Sequence, residues 1–216
     1  MQRPKLQLAL DMQDLQLALD VVSQTQSQVD VIEAGTFLCL SEGMKAIRSL
    51  KSLAPEKIIV GDVRIARAGR NIADMAFDAG ANWVTVVGEA PLETVEAAVR
   101  VAETYKGEIQ IELNDDWTPE QARAWRDLGI EHVIYHSTSE VESVGSGWSQ
   151  DGLDTLNKLV DLGFKVTATG GIHQDVIPSF ADIPVFVFIA GRAIVKTTEP
   201  LAAARAFQVA IAKTYV

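Results

Sequence analysis

The chain is poor in cysteine, in positive charge and in long apolar runs, and each shortage removes a class of function. Its 216 residues include one cysteine, Cys39. A lone thiol closes no internal disulfide, which suits a reducing compartment and predicts a cytoplasmic protein. Lysine and arginine number 19 against 29 aspartates and glutamates, a formal net charge of −10. With no basic block, the chain lacks the electrostatic footprint of a nucleic-acid binder. It can still hold an anion, but only through local positive features such as helix N-termini, an arginine or a metal. No run of about eighteen apolar residues occurs, so no membrane span is predicted. The opening Met1-Gln-Arg-Pro-Lys5 leads straight into a strand-like run, leaving no room for a signal peptide. No Cys/His cluster offers a soft metal site, and no Pro/Ser/Gly-rich linker or low-complexity tract interrupts the chain.

What remains is a regular alternation. Nearly half the residues are hydrophobic (48%), enough for one sizeable core. Short apolar strand candidates fall at Leu6–Leu10, Val29–Ala34, Ile58–Val63, Trp83–Val87, Glu108–Leu113, His132–His136, Lys165–Thr169 and Val185–Ala190. Amphipathic stretches such as Gly43–Leu53, Leu92–Tyr105, Gly152–Leu162 and Leu201–Tyr215 lie between and after them. Thr118-Pro119-Glu120-Gln121 is a capping box with proline at the first helical position, and Gly129 ends that helix. Gly80 and Gly163 likewise close helices before strands. Eight βα units predict a single (β/α)8 barrel domain over residues 1–216. The competing doubly wound sheet would normally carry fewer strands and a glycine-rich first turn, and Leu10-Asp11-Met12 has none.

The chemistry is organised around Lys57-Ile-Ile-Val-Gly-Asp-Val-Arg-Ile-Ala-Arg-Ala-Gly69. Side chains of a strand alternate faces, so Asp62 and Arg64 point the same way over Ile58 and Val60. A carboxylate and a guanidinium at the C-terminal end of a barrel strand suit catalysis; a solvated ion pair at the start of a loop is the plain alternative. The other strand ends add Asp11, Glu33, Glu112 and His136. Taken singly, Asp11 can be a helix cap and His136 a rim histidine. Together, converging carboxylates repel unless a cation or substrate compensates. Glu33 and Asp62 end neighbouring strands and can share one Mg²⁺, which takes one or two carboxylates and leaves its other positions to water and ligand.

Thr169-Gly170-Gly171 and Ala190-Gly191-Arg192 follow the last two strands. Glycine lets backbone N–H groups approach an oxyanion, and Arg192 adds a charged fork. Barrels often bind phosphate at this place. Two tight turns with no ligand are the alternative.

Across nearly its full length the chain resembles the 3-keto-L-gulonate 6-phosphate decarboxylases of the orotidine 5′-monophosphate decarboxylase suprafamily. The likeness is carried by Leu6-Gln-Leu-Ala-Leu-Asp11, Val29-Asp-Val-Ile-Glu-Ala-Gly-Thr36, Gly107-Glu-Ile-Gln-Ile-Glu-Leu113, Val133-Ile-Tyr-His136, Thr169-Gly-Gly171 and Phe188-Ile-Ala-Gly-Arg192. The related hexulose 6-phosphate synthases share the scaffold, but Gln110-Ile-Glu112 and Tyr135-His136 look more like the decarboxylases. The resemblance implies a reaction of L-ascorbate catabolism, from 3-keto-L-gulonate 6-phosphate to L-xylulose 5-phosphate and CO₂. Mg²⁺ on the residues matching Glu33 and Asp62 would hold the enediolate. Asp11 and Glu112 would contact substrate and neighbouring charges, and His136 would help deliver a proton. Thr169, Gly171, Gly191 and Arg192 match substrate and phosphate contacts. A homodimer with active sites near the interface is implied as well.

Three positions depart from the family pattern. Its Asp-x-Lys-x-x-Asp motif reads Asp62-Val-Arg64-Ile-Ala-Arg67, and the arginine three residues after its histidine is Ser139. Arg64 keeps the charge on a larger planar fork that does not deprotonate. Arg67, in a substrate-contacting position, reverses a charge given across the dimer interface. Ser139 removes a cation that helps position the water used for protonation. Two alternatives follow: an aldolase of the hexulose 6-phosphate synthase kind, handling formaldehyde, and a sugar-phosphate-binding protein with weak or no catalysis.

Overall fold

The computed structural model describes residues 2–113, 116–136 and 148–216. Among these, eight parallel strands close into a barrel in sequence order: β1 (Lys5–Leu10), β2 (Val31–Ala34), β3 (Ile58–Ile65), β4 (Trp83–Val87), β5 (Glu108–Leu113), β6 (His132–His136), β7 (Lys165–Thr169) and β8 (Val187–Ala190). β1 closes the ring through the pairs Lys5↔Val187 and Leu8↔Ala190. The helices are α1 (Leu15–Thr25), α2 (Thr36–Glu42), α3 (Met44–Leu53), α4 (Gly69–Asp78), α5 (Leu92–Tyr105), α6 (Pro119–Asp127), α7 (Gln150–Asp161), α8 (Arg192–Val195) and α9 (Pro200–Thr214). The expected (β/α)8 barrel is therefore present. No helix of the described residues is long and apolar enough to cross a membrane.

Period-two alternation splits the core into two layers. Leu6, Leu8, Leu10, Ile32, Ile59, Val84 and Ile111 face outward and pack under the helices, all fully buried. Ala9, Val31, Val60, Trp83, Ile134, Val187 and Ile189 face inward and fill the barrel. The barrel axis is not wholly apolar: Gln7, Gln110, His132 and Thr167 are buried on inward positions. His132 packs edge-on to Trp83 at 4.8 Å between ring centroids. Burial first, then the Lys165 charge, pushes its pKa down to about 3, so it is neutral at physiological pH.

Local signals hold with small corrections. The capping box is formed, Thr118 accepting from the Gln121 N–H while the Gln121 side chain accepts from the Thr118 N–H. Gly80, Gly129 and Gly163 all have positive φ. β2 and β8 start two residues later than their apolar runs suggest. The Asp30 carboxylate accepts from the Leu6 N–H at 2.9 Å, and the Val185 N–H turns back to the Ile183 carbonyl at 2.7 Å, so both residues belong to turns. β3 runs on to Ile65 through an irregularity. Gly61 pairs with Val84 and Ile65 with Val86, so four steps along β3 match two along β4. Gly43, at φ 60°, breaks α2 from α3.

Candidate active site

The strand ends converge on one cavity of about 380 Å³ at the C-terminal mouth of the barrel. Its walls include Asp11, Glu33, Asp62, Arg64, Glu112, His136 and Thr169, with Thr36 and Phe37 from the start of α2 and Ala9, Ile134 and Ile189 as an apolar floor. A larger groove of about 560 Å³ between α1 and α3 is lined by Gln16, Asp20, Arg48 and serines and gathers no such charge. Asp11 is not the cap of α1. That role falls to Asp14, whose carboxylate accepts from the Leu17 N–H at 3.0 Å. Asp11 is freed for the cavity and lies against Gly35, where a β-carbon would overlap its carboxylate and stand 3.0 Å from the Leu10 carbonyl.

Each buried acid is held by neutral donors. Gln7 Nε2 donates to Glu33 Oε2 at 2.6 Å from the adjacent β1. Asp62 Oδ2 accepts from the Thr36 N–H at 3.1 Å and from the Thr36 hydroxyl, while Oδ1 accepts from the Thr85 hydroxyl at 2.7 Å. The less buried Glu112 takes a charged donor instead: Arg64 Nη1 donates to its Oε1 at 2.7 Å. Arg64 sits at φ 45°, in the left-handed region. For a residue with a β-carbon this costs roughly 1–2 kcal/mol, so its surroundings must hold it there. Sequence periodicity reaches none of Gln7, Thr36 or Thr85 as site residues. The one available signal is a glutamine in the otherwise apolar Leu6–Leu10 run.

Electrostatically the cavity is crowded with acid. Burial, then the charges of Asp62 and Asp11, hold the Glu33 carboxyl well above its ordinary range; the Gln7 bond opposes this in part. Burial and the Asp62 charge push Glu112 up to about 7 despite Arg64. Arg64 is about half exposed (47%) and its pull is screened by water, whereas the Glu112 side chain is 12% exposed. Asp11 is raised by desolvation and by Asp62, and lowered by Arg64 and Arg192. One oxygen of Glu112, Oε2, is buried with no hydrogen-bond partner among the described residues.

These residues suit a hard cation. Glu33 and Asp62 present oxygen, their mutual repulsion asks for positive charge, and a magnesium ion needs only one or two protein carboxylates. Among the described residues, no group of three or more His, Cys, Asp or Glu is arranged to hold a metal ion, so an ion on Glu33 and Asp62 would take its remaining ligands from water and substrate.

The two glycine turns stand side by side, because β7 pairs with β8. Gly170 and Gly171 have φ 91° and 63°, conformations only glycine adopts freely. Among the described residues, a β-carbon at Gly171 would meet nothing within 4 Å, which leaves room for a ligand beside the turn's backbone. Arg192 opens α8 directly after Gly191 and is close enough to act on Asp11. Trp148 Nε1 donates to the Gly170 carbonyl at 2.9 Å, and its ring packs on Tyr135 and Phe180. Arg67 is exposed and lines no part of the cavity. Ser139 lies outside the described residues.

Known proteins resemble this chain in sequence and fold. The 3-keto-L-gulonate-6-phosphate decarboxylase UlaD of Escherichia coli is 44% identical over 215 residues, the full length of both chains. KGPDC from Streptococcus mutans, solved in complex with D-ribose 5-phosphate, superposes with a TM-score of 0.95 at 40% identity, covering 100% of each chain. The 3-hexulose-6-phosphate synthase of Salmonella typhimurium is more distant, at 26% identity and a TM-score of 0.88 over 98% of this chain and 100% of its own. The profile described as "Orotidine 5'-phosphate decarboxylase / HUMPS family" matches residues 4–207. The chain belongs to the orotidine 5′-phosphate decarboxylase / HUMPS family.

Proposed function

We propose that this chain is a Mg²⁺-dependent carboxy-lyase acting on a phosphorylated keto-sugar acid, 3-keto-L-gulonate 6-phosphate, to give L-xylulose 5-phosphate and CO₂. The observation that carries the reading is the meeting of Glu33, Asp62, the Arg64–Glu112 pair and His136 in one cavity beside two glycine turns, in a chain 44% identical to a named decarboxylase.

Glu33 and Asp62 would hold Mg²⁺, oriented by Gln7, Thr36 and Thr85. When bound, the ion supplies Lewis acidity toward substrate oxygens that gain charge. Loss of CO₂ breaks a C–C bond and leaves its electron pair on the sugar as an enediolate. Arg64, fixed by Glu112 and always protonated, offers N–H donors to that developing charge. His136, which lines the cavity, would return a proton to carbon, imidazole being the side chain best matched to proton transfer near neutrality. The backbone at Gly171 and Gly191, the Thr169 side chain and the Arg192 guanidinium would bind the phosphate end. That remote binding energy holds the reacting carbons in register with the acid cluster.

CO₂ release from 3-keto-L-gulonate 6-phosphate, with Mg²⁺ and with chelator, tests the reaction. Turnover that needs Mg²⁺ and falls with Glu33→Gln is expected. Turnover indifferent to both would place the metal wrongly, and formaldehyde consumption with ribulose 5-phosphate in place of CO₂ release would favour the aldolase reading. The exposed Phe37 (56%) and Leu40 (79%) on α2, beside the cavity, support a homodimer with the sites near its interface. Sedimentation of wild type and Leu40→Asp checks that. A phosphorylated substrate and a single buried thiol support a cytoplasmic setting.

A further inference from the structure

The irregularity in β3 puts Asp62 and Arg64 on the stretch of chain that β4 fails to pair. Between Gly61↔Val84 and Ile65↔Val86 the backbone ladder lapses, and one β4 residue, Thr85, lies opposite the gap. Thr85 is buried, at 2% exposure, and faces the barrel axis. Its hydroxyl takes over what the ladder leaves undone. Oγ1 accepts from the Arg64 N–H at 2.9 Å and donates to Asp62 Oδ1 at 2.7 Å.

We infer that Thr85 is a positioning residue: its single hydroxyl sets the Asp62 carboxylate and the left-handed backbone of Arg64 in one fixed relation, and so aligns the two charged groups of β3 for the reaction. The chemistry of a hydroxyl makes the link directional. It has one proton and two lone pairs. The Arg64 N–H can only donate, so it occupies a lone pair and leaves the proton for Asp62. Asp62 Oδ1 is thereby kept an acceptor in a set rotamer, with Thr36 fixing Oδ2 from the opposite side. The Arg64 backbone, in a conformation unfavourable for a residue with a β-carbon, gains the acceptor that β4 would otherwise supply. From there the Arg64 side chain reaches Glu112 on β5. Thr85 thus ties the Asp62 carboxylate to the backbone that carries the Arg64 guanidinium, and is not itself among the residues lining the cavity.

A valine has nearly the same shape and no hydroxyl, and a serine keeps the hydroxyl without the methyl. The kinetic arm of the test rests on the decarboxylase reading; the crystallographic arm does not. For Thr85→Val, kcat is expected to fall about 10- to 100-fold, the scale of a displacement of ~1 Å in a catalytic group, with KM changed by less than about threefold. Thr85→Ser should recover most of that kcat. A kcat within about twofold of wild type for Thr85→Val, or equal losses in the valine and serine variants, would overturn the inference, because a packing role depends on volume and not on the proton. If the valine variant does not fold, Thr85→Ala against Thr85→Ser makes the same comparison. If the wild type itself shows no turnover, the proposed reaction fails, and crystal structures of wild type and Thr85→Val decide this point alone. A rotated Asp62 carboxylate or an Arg64 released from positive φ supports it, and an unchanged pair refutes it.

Discussion

Glu112 should make the free protein less stable as the pH rises, and replacing it should remove that loss. Its carboxyl is pushed from an ordinary 4.5 up to about 7 by burial and by Asp62. A raised folded-state pKa means that the native protein binds the proton more tightly than the unfolded chain does. The contribution is fully present below about 4.5 and is lost as the pH rises to about 7 and beyond. At 1.36 kcal/mol per pH unit, the interval from 4.5 to about 7 corresponds to roughly 3 kcal/mol. The side chain is 12% exposed, so solvent screens little of this. Glu112→Gln keeps the shape and an acceptor for Arg64 but cannot ionise. Urea denaturation of both proteins at pH 5, 6, 7 and 8, in chelator and at one protein concentration, measures the effect together with the smaller share by which the Glu112 charge raises Glu33. The variant should gain on the wild type by roughly 2–3 kcal/mol between pH 5 and 8. Parallel curves, with a difference constant to about 0.5 kcal/mol, would refute the reasoning. A site acid that costs stability at working pH is the expected mark of a group kept for chemistry.

Three further outcomes follow from the same geometry. Gly35→Ala drives a β-carbon into the Asp11 carboxylate; kcat/KM should fall on the order of 10²-fold, as for a group displaced by ~1 Å, and a loss below about threefold would mean that Asp11 has no role at that position. Arg192→Ala should raise the dissociation constant of D-ribose 5-phosphate about 10- to 150-fold by calorimetry, the worth of a charge-assisted contact, while equal weakening for unphosphorylated sugars would contradict the phosphate assignment. Arg64→Lys with Arg67→Asp restores the family pattern; kcat/KM for the double variant should exceed that of the wild type and the product of the two single effects, and a double variant no faster than the wild type would make the arginines fittings for another substrate.

The barrel was legible because its signals are local. Strand faces repeat every two residues, as in Leu6, Leu8 and Leu10, and glycines such as Gly129 and Gly163 mark helix ends. The strand-end acids were legible for the same reason: a charge closing an apolar run has few places to go. What lay beyond the sequence was register. That Thr85 stands opposite the lapse in β3 depends on how many residues of one strand match two of the next, and no periodicity encodes it. Gln7 reaches Glu33 only because β1 and β2 pair with Ala9 beside Glu33. Asp14 rather than Asp11 caps α1 because the helix starts one residue after it, at a boundary that composition alone does not resolve. Arg67 is exposed and clear of its own chain's cavity, a position that fits the contact across a dimer interface implied by the resemblance and that a single chain's sequence periodicity does not encode.

The bond from the Trp148 indole to the Gly170 carbonyl gives the molecule an optical handle. Tryptophan emission responds to the hydrogen bonding and polarity of its N–H, and this N–H is tied to the turn read as the phosphate cradle. Any shift of the Gly170–Gly171 backbone on taking up an anion is transmitted to the chromophore over one hydrogen bond. The other three tryptophans sit on other elements: Trp83 in β4, Trp117 just before α6 and Trp125 within it. They form a background against which the change stands out. If this turn binds phosphate as proposed, its occupancy can be followed in solution from intrinsic fluorescence, without label and without turnover.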